Sequence, residues 1–236
     1  MRLGVTKLSL LASCLLSFSQ VSSADFELDL GFASEFVRQG IKQSGSEPVL
    51  QAGGLYASQL GLYGGLWMTG VDRGNGDSTR FELDSHVGFY YPLTTFMAID
   101  LGATRANFLG DAKASKQAYN EGFVNILFDD ATTLGYRLAE DYLGTGKPLQ
   151  TIELAYTMNR GSFGFEFSAR QYRYLEISED VNWGNEHRDD YFHFRLGVAR
   201  TYGAHNLSFG VERTNLSSQY SGGTQLLFTY SRNFSF

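Results

Sequence analysis

Apolar and polar residues alternate along most of this chain with a period of two, which predicts β-strands. In the segment 81–91 the apolar side carries Phe81, Leu83, Val87, Phe89 and Tyr91, and the other side carries Glu82, Asp84, His86, Gly88 and Tyr90. A soluble sandwich would bury its apolar side, but the opposite side of these strands holds too many carboxylates for the surface of a compact core. The pattern favours a closed barrel with lipid outside and water inside.

The alternation predicts an all-β fold, a single antiparallel transmembrane β-barrel of twelve strands. The expected strands are Asp25–Val37, Val49–Ser58, Gly61–Asp72, Thr79–Tyr91, Thr94–Asn107, Gln117–Phe128, Ala131–Tyr142, Leu149–Met158, Phe163–Arg170, Asp190–Thr201, His205–Arg213 and Thr224–Phe236. The second, third and sixth are rich in glycine or alternate imperfectly, so the pattern also admits ten or fourteen strands.

The connections between these strands alternate between short and long. Tight turns are expected at 59–60, 92–93, 129–130, 159–161 and 202–204. Long polar connections are expected at 38–48, 73–78, 108–116, 143–148, 174–189 and 214–223. This is the plan of an outer-membrane barrel, with short periplasmic turns and longer outer loops.

The N-terminus resembles an export signal. Arg2 and Lys7 precede the apolar run Leu8–Phe18, and small residues lead to Ala24, so we expect a cleaved signal peptide at residues 1–24 and the barrel at 25–236. A lipobox ending at Cys14 is the competing interpretation. Cys14 is the only cysteine, so the barrel itself would contain no disulfide.

Composition and charge exclude several classes of protein. The mean hydropathy of −0.20 would by itself suggest a soluble protein, but alternating strands halve the apparent hydrophobicity of a membrane barrel. No apolar stretch after the N-terminus is long enough for a membrane-spanning helix. The formal charge is −6, which disfavours nucleic acid as a partner. No nucleotide-binding loop is present, and we expect no cofactor and no metal.

Charged residues concentrate on the polar side of the predicted strands, where they would line a pore. The pore-lining candidates are Glu27, Asp29, Glu35, Glu82, Asp84, Asp100, Glu121, Arg137, Glu153, Glu166, Arg170, His193 and Arg195, and Asp141, Glu212 and His86 share this side. Because carboxylates dominate, a water-filled lumen would prefer cations. Alternatively, the charges pair across a filled lumen that conducts nothing.

Aromatic residues near the ends of the apolar sides suggest interfacial girdles. They include Phe36, Tyr91, Tyr136, Tyr156, Tyr230 and Phe234. The last strand ends on Phe236, a pattern typical of the C-terminal signal read by the barrel-assembly machinery. The expected surroundings are outer-membrane lipid and lipopolysaccharide, around a monomeric barrel.

Three further features leave alternatives open. The segment Tyr174–Asp189 would either constrict the mouth or remain an exposed loop. His86 and His193 could hold a metal, although ordinary hydrogen bonding in the lumen is the simpler interpretation. Ser168 and His193 lie on neighbouring strands, so an outer-membrane enzyme is one alternative function. A structural or partner-binding barrel that does not conduct is the other.

Several motifs in the first third of the chain together resemble the TorF-like porins of Gram-negative outer membranes. They are 34–36 (Ser-Glu-Phe), 38–40 (Arg-Gln-Gly), 42–44 (Lys-Gln-Ser), 47–53, 64–67, 71–72 and 82–84. The resemblance implies an outer-membrane barrel and a channel, and it carries no catalytic residue. We therefore expect passive diffusion of small hydrophilic solutes, with a cation preference.

Overall fold

The computed structural model describes residues 25–74, 76–184 and 188–236 as one closed barrel of twelve antiparallel strands. The predicted signal peptide lies outside the described residues. With strands numbered in chain order, the barrel consists of β1 (Asp25–Ala33), β4 (Val49–Ala57), β5 (Leu62–Gly70), β6 (Phe81–Pro92), β7 (Met97–Leu109), β8 (Tyr119–Phe128), β9 (Thr132–Ala139), β10 (Leu149–Arg160), β11 (Phe163–Tyr174), β12 (Asp190–Tyr202), β13 (His205–Thr214) and β14 (Thr224–Ser235). The predicted fold class and strand number are confirmed.

Each barrel strand pairs with its neighbour in the chain, and β1 closes the barrel by pairing with β14. In that seam Leu28 lies opposite Phe234 and Phe32 lies opposite Tyr230. Closure gives every strand two partners, so the sheet has no open edge. This matters in lipid, where an unpaired backbone group has no water to bond.

The barrel has its apolar side outside. On β11, Phe163, Phe165 and Phe167 are 41%, 41% and 37% exposed, whereas Glu82 on β6 is fully buried. The period-two pattern therefore separates an apolar outer wall from a charged lumen, as the sequence predicts.

One end of the barrel carries only short turns. The turn between β8 and β9 has φ angles of 51° and 52° at Asp129 and Asp130, which is the left-handed backbone of a two-residue hairpin turn. Aspartate tolerates this conformation better than most residues.

The other end carries the long connections. They contain two short strands, β2 (Val37–Arg38) and β3 (Ile41–Lys42), together with the helical turns Ala112–Ser115, Tyr142–Gly144 and Ser218–Tyr220. No helix among the described residues is long and apolar enough to cross a membrane.

Two predicted strands end three or four residues too late. β1 ends at Ala33 rather than Val37, and β9 ends at Ala139 rather than Tyr142. Phe36 consequently leaves the wall and packs inside near Trp67 at 5% exposure, so its assignment to a lipid-facing girdle was wrong. Tyr91, Tyr136 and Tyr156 do lie on the outer surface.

Candidate functional site

Residues 34–48, which we call the inserted loop, leave β1 and fold back into the lumen. Two backbone contacts define its shape: Gln43 donates to Phe36 O at 2.8 Å, and β2 pairs with β3. Gln39 and Gly40 turn the hairpin with φ angles of 55° and 75°. The loop is therefore a folded hairpin whose tip is residues 38–40.

The tip reaches elements far around the barrel from β1. The Tyr142 hydroxyl donates to Gln39 Oε1 at 2.5 Å, and the Tyr191 hydroxyl donates to the Gln39 carbonyl at 2.9 Å. The Gln225 amide donates to the Gly40 carbonyl at 3.1 Å. These partners belong to the β9–β10 connection, β12 and β14, so the tip crosses the lumen.

Position 40, at the tip of the inserted loop, requires a glycine. A Cβ atom at this position would collide with Thr214 and with the ring of His193, and the positive φ angle is itself unfavourable for a side chain. The close approach of the loop to β12 and β13 depends on this glycine.

Arg38 fixes the tip to β6 and β8. Its guanidinium forms an ion pair with Glu82, another with Asp84 Oδ2 at 3.2 Å, and a hydrogen bond to the Tyr119 hydroxyl at 2.7 Å. Burial is the largest single influence and disfavours its charge, but the acidic groups around it, led by the Asp84 carboxylate, together outweigh burial and raise the pKa of Arg38 above its ordinary value. Arg38 therefore remains charged.

A second group of charges lines the opposite wall. The Arg170 guanidinium bonds Glu153 at 2.6 Å, and Arg195 pairs with Glu166 at 3.2 Å and also with Glu212. All five side chains are buried, so each charge depends on its partner.

This network extends at both of its ends. His193 Nε2 lies 3.1 Å from Glu212 Oε2, which ties the imidazole to the Arg195 group. On neighbouring strands Arg137 donates to Glu121 at 3.2 Å. Pairing thus occupies most of the predicted pore-lining charges on β8 to β13.

Toward the short-turn end the lumen is more acidic. Asp100 accepts hydrogen bonds from the Tyr63 hydroxyl at 2.6 Å and the Asn125 amide at 3.0 Å. Glu27 and Asp29 on β1 face the same space and are partly exposed.

Carboxylates outnumber arginines in the lumen as a whole. Nine carboxylates on barrel strands face it, and with Arg38, Arg137, Arg170 and Arg195 the excess is five negative charges when the histidines are neutral. The nine are Glu27, Asp29, Glu82, Asp84, Asp100, Glu121, Glu153, Glu166 and Glu212.

An aromatic cluster fills the lumen near the long-loop end. Its members are Phe108, Tyr119, Tyr142, Tyr172, Tyr174, Trp183 and Tyr191. The Trp183 ring lies 5.1 Å from Tyr174 and 4.6 Å from Tyr191, measured between centroids. Together with the inserted loop, this cluster narrows the half of the barrel nearer the long loops.

Residues 19–211 match the family described as bacterial protein of unknown function, Gcw_chp. The chain belongs to the Gcw_chp family. The fold is similar to that of two solved porins. The KdgM porin is 8% identical, with a TM-score of 0.57 over 88% of this chain and 99% of that one. The NanC porin is 11% identical, with a TM-score of 0.56 over 89% and 98%. No curated protein sequence matches the chain.

In this Gcw_chp barrel two predicted candidates do not lie on a strand. Glu35 is in the inserted loop, where it pairs with Lys42 at 3.2 Å. Asp141 precedes the helical turn 142–144 and accepts from the Gly146 amide at 2.6 Å. Their assignment to strand walls was wrong because the alternation continues past the true strand ends.

The segment Tyr174–Asp189 was expected either to constrict the mouth of the barrel or to remain an exposed loop, and it is partly buried and partly exposed. Trp183 is 6% exposed within the aromatic cluster, whereas Leu175 is 49% exposed. Residues 185–187 lie outside the described part of the chain. The deeper intrusion comes from the inserted loop, although its length and polarity predict an ordinary outer connection.

The catalytic and metal alternatives gain no geometric support. Ser168 lies opposite Arg195 in the β11–β12 register, whereas His193 lies opposite Arg170 and bonds Glu212. Among the described residues no three His, Cys, Asp or Glu side chains are grouped to hold a metal ion.

Proposed function

We propose that this protein is an outer-membrane channel for passive diffusion of small hydrophilic solutes, with a preference for cations. The observation that carries the proposal is the inverted distribution of polarity in a closed barrel: exposed phenylalanines outside and paired charges within. Such a wall is stable only against lipid, and such an interior is stable where its charges pair with one another or meet water. The surroundings we propose are outer-membrane lipid and lipopolysaccharide.

Buried polar atoms support a wet lumen. Ser168 Oγ, Glu166 Oε1, His193 Nδ1 and Asn125 Oδ1 are buried and have no hydrogen-bond partner within the described protein. Buried polar groups in native proteins almost always have a partner, and water is the available one in a lumen.

The excess of carboxylates supports the cation preference. An enclosed acidic lumen with apolar walls raises the local concentration of cations and repels anions. A KdgM porin structure is described in complex with disordered oligogalacturonate, which is a polyanion. The acidic lumen argues against a solute of that kind for this chain.

We propose the inserted loop as the constriction of the channel. The motifs that resemble the TorF-like porins include 34–36, 38–40 and 42–44, all within this loop. We propose that the chain shares their channel plan, with Arg38 and the aromatic cluster determining the width.

A non-conducting barrel that binds a partner or supports the membrane is the second candidate. It is favoured by one observation, the crossing of the lumen by the tip at Gln39 and Gly40. Catalysis is not part of either proposal.

Conductance of the purified barrel in planar bilayers tests the first proposal. We expect discrete current steps, and under a salt gradient a reversal potential of the sign for cation selectivity. Absence of steps above the buffer background would favour the second candidate. A gel-mobility difference between boiled and unboiled samples, measured on the same preparation, ensures that the absence does not come from an unfolded barrel.

Location is tested separately by fractionation. We expect the protein in the outer-membrane fraction, without residues 1–24, and as a monomer. Deletion of Phe236 should impair its assembly, since the C-terminal strand is the proposed contact with the assembly machinery.

A further inference from the structure

An arginine interrupts the apolar outer wall near the long-loop end. Arg105 on β7 faces outward between Leu101 and Leu109, each of which is 44% exposed. It lies four residues below Leu109, which is about 10 Å along the barrel axis for a strand rise of about 3.3 Å and a tilt of about 40°. A charge on the lipid-facing side is tolerated near the headgroups and costly at mid-membrane.

Arg105 is held by two asparagines rather than by a carboxylate. Its Nε donates to Asn107 Oδ1 at 3.1 Å, and a terminal nitrogen donates to Asn120 Oδ1 at 3.2 Å. Asn107 also donates to the Leu83 carbonyl at 3.4 Å. The salt bridges of the described residues do not include Arg105. The cluster, which we call the clasp, is therefore a fixed positive charge that faces the membrane.

An apolar groove of about 900 Å³ lies on the same outer surface, beside the clasp. Its floor is made of small residues, Ala52, Gly54 and Gly64. Its sides include Phe26, Leu28, Leu30, Leu66, Met68 and Phe236. Leu83 and Ser85 on β6 also line it.

The clasp adjoins the groove across the β6–β7 pair. Ser85, in the groove, lies directly opposite Arg105 in the β6–β7 register, and Leu83 lies opposite Asn107. From there the groove extends toward Phe26 and Phe236 at the short-turn end. A lipid whose phosphate binds the clasp could therefore extend an acyl chain along the groove toward the short-turn end, which is the direction from the headgroups toward the middle of the membrane.

We propose that this surface binds one lipid A moiety of lipopolysaccharide, with a phosphate on Arg105 and an acyl chain in the groove. The phosphate complements the guanidinium, whose planar donors suit phosphate oxygens. The proposal rests on the outer-membrane location above, since long loops face the outside in that plan and lipopolysaccharide occupies the outer leaflet. It does not depend on whether the lumen conducts.

Native mass spectrometry of the detergent-purified barrel, titrated with lipid A, tests the site. We expect one bound lipid A at low concentration, with Arg105→Ala weakening binding by about tenfold or more, the loss for one charge-assisted contact of about 1.4 kcal/mol or more. Arg213→Ala is the matched control. Arg213 is an exposed, outward-facing arginine at the same end of the barrel on β13, and it does not line the groove.

A second variant tests the groove alone. Ala52→Leu fills the floor and leaves the clasp intact, so it should also weaken lipid A while preserving the gel mobility of the folded barrel. Titrations with phosphatidylglycerol and with inorganic phosphate identify the source of the phosphate. We expect both to bind less tightly than lipid A.

Three outcomes would overturn the proposal. They are wild-type affinity in Arg105→Ala, an equal loss in Arg213→Ala, or phosphatidylglycerol binding as tightly as lipid A. Because the titration uses purified protein, it can fail while fractionation still finds the protein in the outer membrane. Conversely, a failed fractionation would leave the titration unaffected.

Discussion

Replacing Arg38 by alanine should release the inserted loop from the wall of the lumen. The substitution removes the ion pairs to Glu82 and Asp84 and the hydrogen bond to Tyr119. Glu82 is fully buried, so it would be left charged without its cation. The loop-docked state should therefore lose stability relative to a state in which the loop has moved aside.

The size of the effect follows from this burial. Removing one partner of a buried ion pair costs about 3–5 kcal/mol. Arg38 and Asp84 are each 18% exposed, so partial hydration favours the lower end of that range. A cost of about 3 kcal/mol changes the ratio of docked to undocked loop by a factor on the order of one hundred.

Single-channel recording in planar bilayers measures this shift. Arg38→Ala should show larger or more frequent high-conductance openings than the wild-type barrel. Arg173→Ala is the control, because Arg173 pairs with Asp189 at 3.1 Å where both side chains are about 40% exposed. An exposed pair is worth about 0–1 kcal/mol, so this variant should conduct like the wild type.

A double variant, Arg38→Ala with Glu82→Gln, separates two effects of losing Arg38: the loss of the loop's anchor and the burial of an unpaired Glu82 carboxylate. It should regain part of the thermal stability lost in Arg38→Ala but keep the enlarged openings, since the loop still lacks its anchor. If Arg38→Ala folds, as judged by gel mobility, and its openings match those of the wild type in size and frequency, the inserted loop is not the constriction.

Two further predictions concern the tip and the selectivity. Gly40→Ala should displace the tip, because the new Cβ would collide with His193 and Thr214, and it should increase conductance. Gly76→Ala, with a similar φ angle of 78° but open space around it, should leave conductance unchanged. Combining Glu27→Gln with Asp29→Asn should move the reversal potential toward zero, because both carboxylates face the acidic half of the lumen. The same change at an exposed loop carboxylate, Glu176→Gln, should not, and equal shifts in the two variants would contradict the lumen-field explanation.

The barrel was predictable because its wall obeys a purely local rule. On β11 the alternation of Phe163, Phe165 and Phe167 with polar residues assigns each side chain to lipid or lumen without knowledge of its neighbours. The same rule failed at Glu35 and Phe36. They continue the alternation of β1, but the chain has already left the wall at Ala33. Period two does not reveal where a strand stops when the following loop is also apolar on one side.

The pairing of charges could not be read in the same way. The sequence places Glu153, Arg170, Glu166 and Arg195 on the polar side of their strands, and all four do face the lumen. Which of them pair depends on cross-strand register, such as Glu153 opposite Arg170. Register is fixed by the hairpin turns and by closure of the barrel.

By itself the sequence determined the class of fold and the orientation of the wall, since these follow from side-chain alternation. Turn spacing favoured twelve strands but also admitted ten or fourteen, and closure of the barrel decided the number. Only the tertiary structure decided what occupies the lumen. Arg38 meets Asp84 across 46 residues and Tyr119 across 81, and no local pattern encodes such distances along the chain. The barrel brings these residues together because it closes, and closure is a property of all twelve strands at once.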